Sequence, residues 1–146
     1  MAQIEYNNSI TTLISDLESF ADAVPEMGKQ MLQAEADIVE PELRKALTSD
    51  GLVLSGRLKS SIGRSTRNKG MTVLIGPSGT HHMYATRAGK ARLLRAGHLG
   101  YIHEYGAPRR NIRGRKWMSK TVQKSQAKAL DAAEKVHDEY MKKHNL

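Results

Sequence analysis

The sequence predicts an α+β fold, and three observations carry that prediction. Apolar residues recur at helical spacing through the first fifty positions. Short runs that suit strands, cut by turn clusters, occupy the stretch between Gly63 and Gly106. A second helical stripe then closes the chain from Trp117 onward. The expected arrangement is a small, mainly antiparallel sheet packed by N-terminal helices and a long C-terminal helix. All 146 residues read as one domain: an acidic helical part over 1–50, a sheet with basic loops over 51–116, and a C-terminal helix over 117–144.

Taken in order, Ser9 is positioned as an N-cap for a helix whose apolar residues Leu13, Ile14, Leu17, Phe20 and Ala21 share one face. Pro25 restarts the chain, and Glu26 beside it suits the positive end of a second helix. That helix carries Met27, Met31, Ala34, Ile38 and Leu43 inward, and Pro41 predicts a kink or break near Asp37 to Glu40. Asp50-Gly51 closes it. Ser55 to Ile62 reads as a short capped helical turn. Strands are expected over Gly63 to Arg67 and Thr72 to Ile75, joined by the turn Asn68-Lys69-Gly70. Residues 80–99 read as a long basic loop and Gly100 to Tyr105 as a third strand. The last helix presents Met118, Val122, Ser125, Ala129, Ala133, Val136 and Tyr140 at steps of three and four, over roughly 40 Å at about 1.5 Å per residue. Leu58, Ile62, Val73, Ile75 and Ile102 are the expected core between sheet and helices.

Charge is distributed unevenly. Residues 1–50 hold ten acids and three bases, residues 51–128 hold seventeen bases and one acid, and residues 129–146 hold three bases and four acids, for a total of +8. Nine of the middle bases fall in one stretch: Arg87, Lys90, Arg92, Arg95, Arg109, Arg110, Arg113, Arg115 and Lys116. Such a stretch attracts phosphate or an acidic protein face, and the sign asymmetry suits head-to-tail contacts between copies. Aromatic residues make up only 5% of the chain and its mean hydropathy is −0.54, which fits a subunit that finishes burying itself in an assembly. No apolar run reaches membrane-spanning length and the N-terminus lacks the pattern of a signal peptide, so the protein is expected to be made and kept in the cytoplasm, away from membranes. With no cysteine there is no disulfide, thiolate metal site or cysteine nucleophile.

The remaining chemistry is sparse. His81, His82, His98 and His103 lie close together in sequence, without ligand spacing, so no metal or cofactor is expected. On a strand His103 and Glu104 would face opposite ways, and Glu104 is the only acid of the middle segment, so no paired acid–base mechanism is expected and the chain reads as no enzyme. Gly76-Pro77-Ser78-Gly79-Thr80 lacks the spacing of a phosphate loop. Glu104 is expected either to pin the basic loop through Arg109, Arg110 or Arg113, or to accept an arginine from a neighbouring subunit.

Four fragments in order complete the reading: Ser55-Gly56-Arg57-Leu58 with Ser61-Ile62, then Ile75-Gly76, then Glu104-Tyr105-Gly106, then Trp117-Met118. Their order and spacing over roughly residues 27–140 resemble the neck family of long-tailed double-stranded DNA bacteriophages, the tail-completion or head–tail joining proteins that count among the minor tail components. That family's pattern has Thr and Pro where this chain has Ala107 and Lys116. The resemblance implies a structural virion protein in the phage neck and tail, assembled in the host cytoplasm. It implies a homo-oligomeric ring, hexameric in form, between the head connector or stopper and the tail terminator or tail tube proteins. The alternative from the residues themselves is a cytoplasmic protein that binds nucleic acid non-specifically. The basic stretch from Arg87 to Arg115 is expected to be poorly ordered in the isolated subunit, because it needs an external acidic partner. That partner is either a neighbour's Glu35, Asp37, Glu40 and Glu42 or DNA in the channel, and the protein partner is the favoured expectation.

Overall fold

The computed structural model describes residues 6–51, 56–85 and 91–144. The fold is α+β. Helix α1 (Tyr6–Ser49) leads into the one-turn helix α2 (Arg57–Ser60) and the hairpin β1 (Ile62–Arg67) and β2 (Thr72–Pro77). A second hairpin follows, β3 (Thr80–Ala85) with β4 (Ala91–Arg95), then helix α3 (Ala96–Tyr105). The short antiparallel pair β5 (Gly106–Ala107) and β6 (Ile112–Arg113) precedes helix α4 (Trp117–His144).

Several expectations are corrected here. The two N-terminal helices and the break near Asp37 to Glu40 are one continuous helix that starts before Ser9. Pro25 and Pro41 both lie on its exposed side, away from the core, where a proline can interrupt one backbone bond without breaking the helix. Residues 80–99 are not a loop, since β3, β4 and the start of α3 fill the described part of it. Gly100 to Tyr105 is helical, not a strand. Its buried residues Ala96, Leu99 and Ile102 recur every third position, and Gly100 allows the helix to press on β2, where an added Cβ would lie 2.5 Å from Pro77 Cγ. The strands form three separate two-stranded antiparallel ladders in place of one sheet.

The β1–β2 hairpin pairs from Ile62 with Pro77 to Arg67 with Thr72. Its turn places Asn68, Lys69 and Gly70 at positive φ, a conformation asparagine and glycine tolerate. The core gathers Leu43 and Leu47 of α1, Leu58 of α2, Ile62 of β1, Leu99 of α3 and Trp117 of α4, with Ile75 and Met118 packed around it. Of the expected core, Leu58, Ile62 and Ile102 are buried, and Val73 and Ile75 are half-buried. Helix α4 buries Trp117, Thr121, Ser125, Ala129 and Ala133, a row of steps of four, so Thr121 takes the inward place expected of Val122. The buried hydroxyls cost little because Thr121 donates to the Trp117 carbonyl at 2.7 Å and Ser125 to the Thr121 carbonyl at 2.9 Å. Trp117 and Thr121 sit beside the last turns of α1, and α4 runs back along it, with small residues allowing close approach.

The acidic side of α1 is engaged within the chain. Arg64 of β1 bonds Asp37 and Glu40, each at 2.7 Å. Arg44 bonds Glu40 at 2.8 Å and the Ile62 carbonyl at 2.6 Å, and Lys45 pairs with Glu42 at 2.8 Å. Of the four acids expected to await a neighbour, only Glu35 has no ion pair among the described residues.

Candidate assembly interface

The candidate site is built on one junction, the end of α3 against the start of α4. A helix begins with backbone N–H groups that lack intrahelical partners. Here the residue before α4 is Lys116, at φ +52°, whose side chain has no acceptor. Glu104 supplies the acceptor from α3. Its carboxylate takes the amide of Met118 at 2.7 Å, the amide of Ser119 at 3.2 Å and the Ser119 hydroxyl. Negative charge at that end also complements the helix dipole. The backbone carries the same connection, with the amides of Arg115 and Lys116 donating to the carbonyls of His103 and Glu104 at 2.8 and 3.0 Å.

This overturns both expectations for Glu104. It is only 3% exposed and makes no ion pair with Arg109, Arg110 or Arg113 among the described residues, so it neither pins the basic loop by charge nor awaits a partner. The reason is helicity: a helical α3 turns Glu104 inward toward α4. Gly106 and Gly114 then cross backbone to backbone. A Cβ on Gly106, whose φ is +87°, would lie 2.6 Å from Gly114 N, and one on Gly114 would lie 2.5 Å from the Tyr105 carbonyl carbon. Trp117, fully buried, aims its indole N–H at the Gly100 carbonyl at 3.4 Å. The remaining motif glycines are simpler: Gly56, at φ +70°, starts α2 with open space around it, and Gly76 approaches Met118. Ser55 lies outside the described residues.

With Glu104 and Trp117 turned in, α3 turns two tyrosines out. Tyr101 and Tyr105 are 60% and 64% exposed, with ring centroids 4.7 Å apart. Two largely apolar grooves meet at Tyr101. One, of about 620 Å³, runs between α3 and α4 along Pro77, Tyr105, Met118 and Val122. The other, of about 500 Å³, is walled by His98, Ile102, Pro108, Arg109 and Arg110.

The basic stretch divides around this face. Arg109 and Arg110 occupy the 3-10 turn Pro108–Arg110 at the second groove, Arg113 is in β6, and Arg95 precedes α3. All four are exposed, and none forms an ion pair among the described residues. Lys116 is exposed as well, whereas Arg115 turns to the other side and donates to the Asp50 carbonyl at the end of α1. Arg92 belongs to β4. Arg87 and Lys90 lie outside the described residues, and the rest of the stretch expected to be a poorly ordered loop carries β4, α3, β5 and β6. The tyrosine pair, Gly114 and Thr121 escaped the sequence reading. An i, i+4 aromatic pair is visible only once 96–105 is read as a helix.

His103 is half-buried beneath this face, and burial, followed by the Arg115 cation, holds its imidazole below the ordinary range. Among the described residues no group of three or more His, Cys, Asp or Glu could hold a metal ion, and no helix is long and apolar enough to cross a membrane. Comparison with protein-family models, with curated proteins and with solved structures finds no match for this chain.

Proposed function

We propose that this chain is a structural protein of the neck of a long-tailed phage. It acts by assembly and without catalytic turnover, as a homo-oligomeric, hexameric ring between the head connector and the tail. One observation carries the reading. The four fragments that resemble the neck family converge on one joint, where Leu58, Ile62 and Trp117 share a core, Gly106 crosses Gly114, and Glu104 holds the first turn of α4. Residues spread from Leu58 to Met118 thus serve a single junction. That junction presents an exposed tyrosine pair and exposed arginines, as a subunit that binds acidic protein faces requires. The test is composition and order of assembly. The chain should be recovered in purified particles at the head–tail joint, and its loss should leave separate full heads and complete tails. Particles that lack the protein and still join would overturn the reading.

The exposed Arg95, Arg109, Arg110 and Arg113, which have no ion pair among the described residues, favour a second reading, non-specific nucleic-acid binding. It requires the isolated chain to bind short duplex DNA at micromolar or tighter affinity with a steep salt slope. Monomeric protein that does so and never enters particles would decide for it.

A further inference from the structure

The N-terminal half of α1 leaves an apolar stripe exposed among the described residues. Leu13, Leu17, Phe20 and Val24 fall within about 60° of one another around a helix of 3.6 residues per turn, with Ile14 beside them. They are 37% to 58% exposed. Asp16 borders one edge of the stripe, and Glu18 and Asp22 lie toward the back of the helix. Residues 6–24 hold these three acids and no lysine or arginine, and none of the three has an ion pair among the described residues. The tyrosine face has the complementary character: apolar grooves along α3, with Arg109 and Arg110, which have no ion pair among the described residues, at the rim.

One chain cannot bring the two together. The face is packed at the Leu43 to Leu47 end of α1, and Leu17 lies 26 residues earlier on the same continuous helix, about 39 Å away at 1.5 Å per residue. We propose that the α1 arm, residues 12–24, seats on the Tyr101–Tyr105 face of a second copy of this chain, as an amphipathic helix in a groove. Leu17 and Phe20 fill the grooves beside Tyr101, and Asp16, at the edge of the stripe, meets Arg109 and Arg110. Because the arm and the groove are different surfaces, the contact is heterologous, and repetition closes a ring or extends a filament. The inference deepens the ring reading above and rests on it for closure.

The absence of native cysteine gives a direct test. Chains bearing Phe20→Cys and chains bearing Tyr105→Cys are purified, checked for unchanged helix content, mixed and oxidised. The expected product is the mixed disulfide, in at least fivefold excess over a control pairing Phe20→Cys with Met71→Cys, an exposed site on the β hairpin. Asp16→Lys should lower the yield at least fivefold, and adding Arg109→Glu with Arg110→Glu in the partner should restore it. If Tyr105→Cys misfolds, Val122→Cys in the same groove replaces it. Predominant Phe20–Phe20 cross-links would mean that arms pair with each other and would overturn the proposal, as would a yield no higher than the control. Because the readout uses purified chain, it separates the two readings. Cross-linking by a chain absent from particles defeats the neck assignment alone, whereas a particle component that fails to cross-link defeats the arm contact alone.

Discussion

Glu104 accepts the backbone amide of Met118 at 2.7 Å, so a side chain near the end of one helix caps the start of another fourteen residues on. The same carboxylate takes the amide and hydroxyl of Ser119, and Lys116, in the usual capping position, offers no acceptor. Removing it leaves partly buried donors without partners. Glu104→Ala is therefore expected to destabilise the fold by about 2 to 3 kcal/mol, combining a lost cap with unsatisfied donors. For a chain of this size that lowers the melting temperature by roughly 5 to 10 °C. Glu104→Gln keeps one acceptor oxygen and should lose less. Thermal unfolding followed by circular dichroism checks both, and an unchanged midpoint for Glu104→Ala would show that the cap contributes nothing.

The glycines separate conformational strain from steric exclusion. Gly56 and Gly106 both have positive φ, but a Cβ on Gly56 meets open space while one on Gly106 meets the backbone of Ile112 and Gly114. Gly56→Ala should cost about 1 to 2 kcal/mol, the ordinary penalty for an L residue in that region. Gly106→Ala adds a clash with backbone that cannot swing away, so its loss should be at least twice as large. Gly114→Ala tests the clash from the other strand. Urea unfolding midpoints give the comparison, and equal costs at the two positive-φ sites would refute the crossing.

Acid should weaken the fold in two steps. His103 titrates below its ordinary value of 6.5 in the folded chain, through burial and the Arg115 cation. The unfolded state binds that proton first, so the stability tied to neutral His103 is present above 6.5 and declines as pH falls through that value. Glu40 is held below its ordinary 4.5 by hydrogen bonds from Arg64 and then Arg44, and its contribution is lost below that value. Glu26 and Glu42, lowered by Gln30 and Lys45 respectively, act in the same direction. In a series of melting temperatures against pH, His103→Gln should flatten the first decline and spare the second, and Arg64→Gln should do the reverse. A His103→Gln variant with the parent's slope near pH 6 would exclude His103 as its source.

The α+β class, the first hairpin and the span of α4 were legible because period-two and period-3.6 patterns with turn residues are local signals. The α3 segment was not. Tyr101, Ile102 and Tyr105 favour strands when read alone, and what makes the segment helical is distant: Pro77 against Gly100, and Trp117 beneath. Pro41 misled because its effect depends on which side of the helix it occupies, and that side is set by Leu43 and Leu47 in the core. The basic stretch was visible as composition. Its division, with Arg109 and Arg110 at the groove and Arg115 on Asp50, depends on the backbone bonds that fasten residues 115 and 116 to α3. Glu104 stood out as the lone acid among bases, but its partner turned out to be backbone, which carries no mark in a sequence.

Charge reversal distinguishes arginines that hold the fold from arginines that face outward. Arg64 touches Asp37 and Glu40 at 2.7 Å and donates to Gln33 at 3.2 Å, so Arg64→Glu removes two ion pairs and that hydrogen bond and sets a third carboxylate beside them. Partly exposed pairs of this kind are worth about 0.2 to 1 kcal/mol each, and the added repulsion brings the expected loss to about 1 to 2 kcal/mol. Arg109 and Arg110 have no ion pair to lose among the described residues, so reversing both to Glu should change stability by no more than about 0.5 kcal/mol. On the proposed function the consequences for assembly run the other way. Arg64→Glu, if it folds at the growth temperature, should still support joining, while the Arg109→Glu, Arg110→Glu chain should fold normally and leave heads and tails apart. A discrete protein contact further requires that the two arginines differ in importance when reversed singly. Contact with DNA would make them equivalent and weaken both together as salt rises. Heads that join to tails at the normal rate with both arginines reversed would remove this face from the joining step.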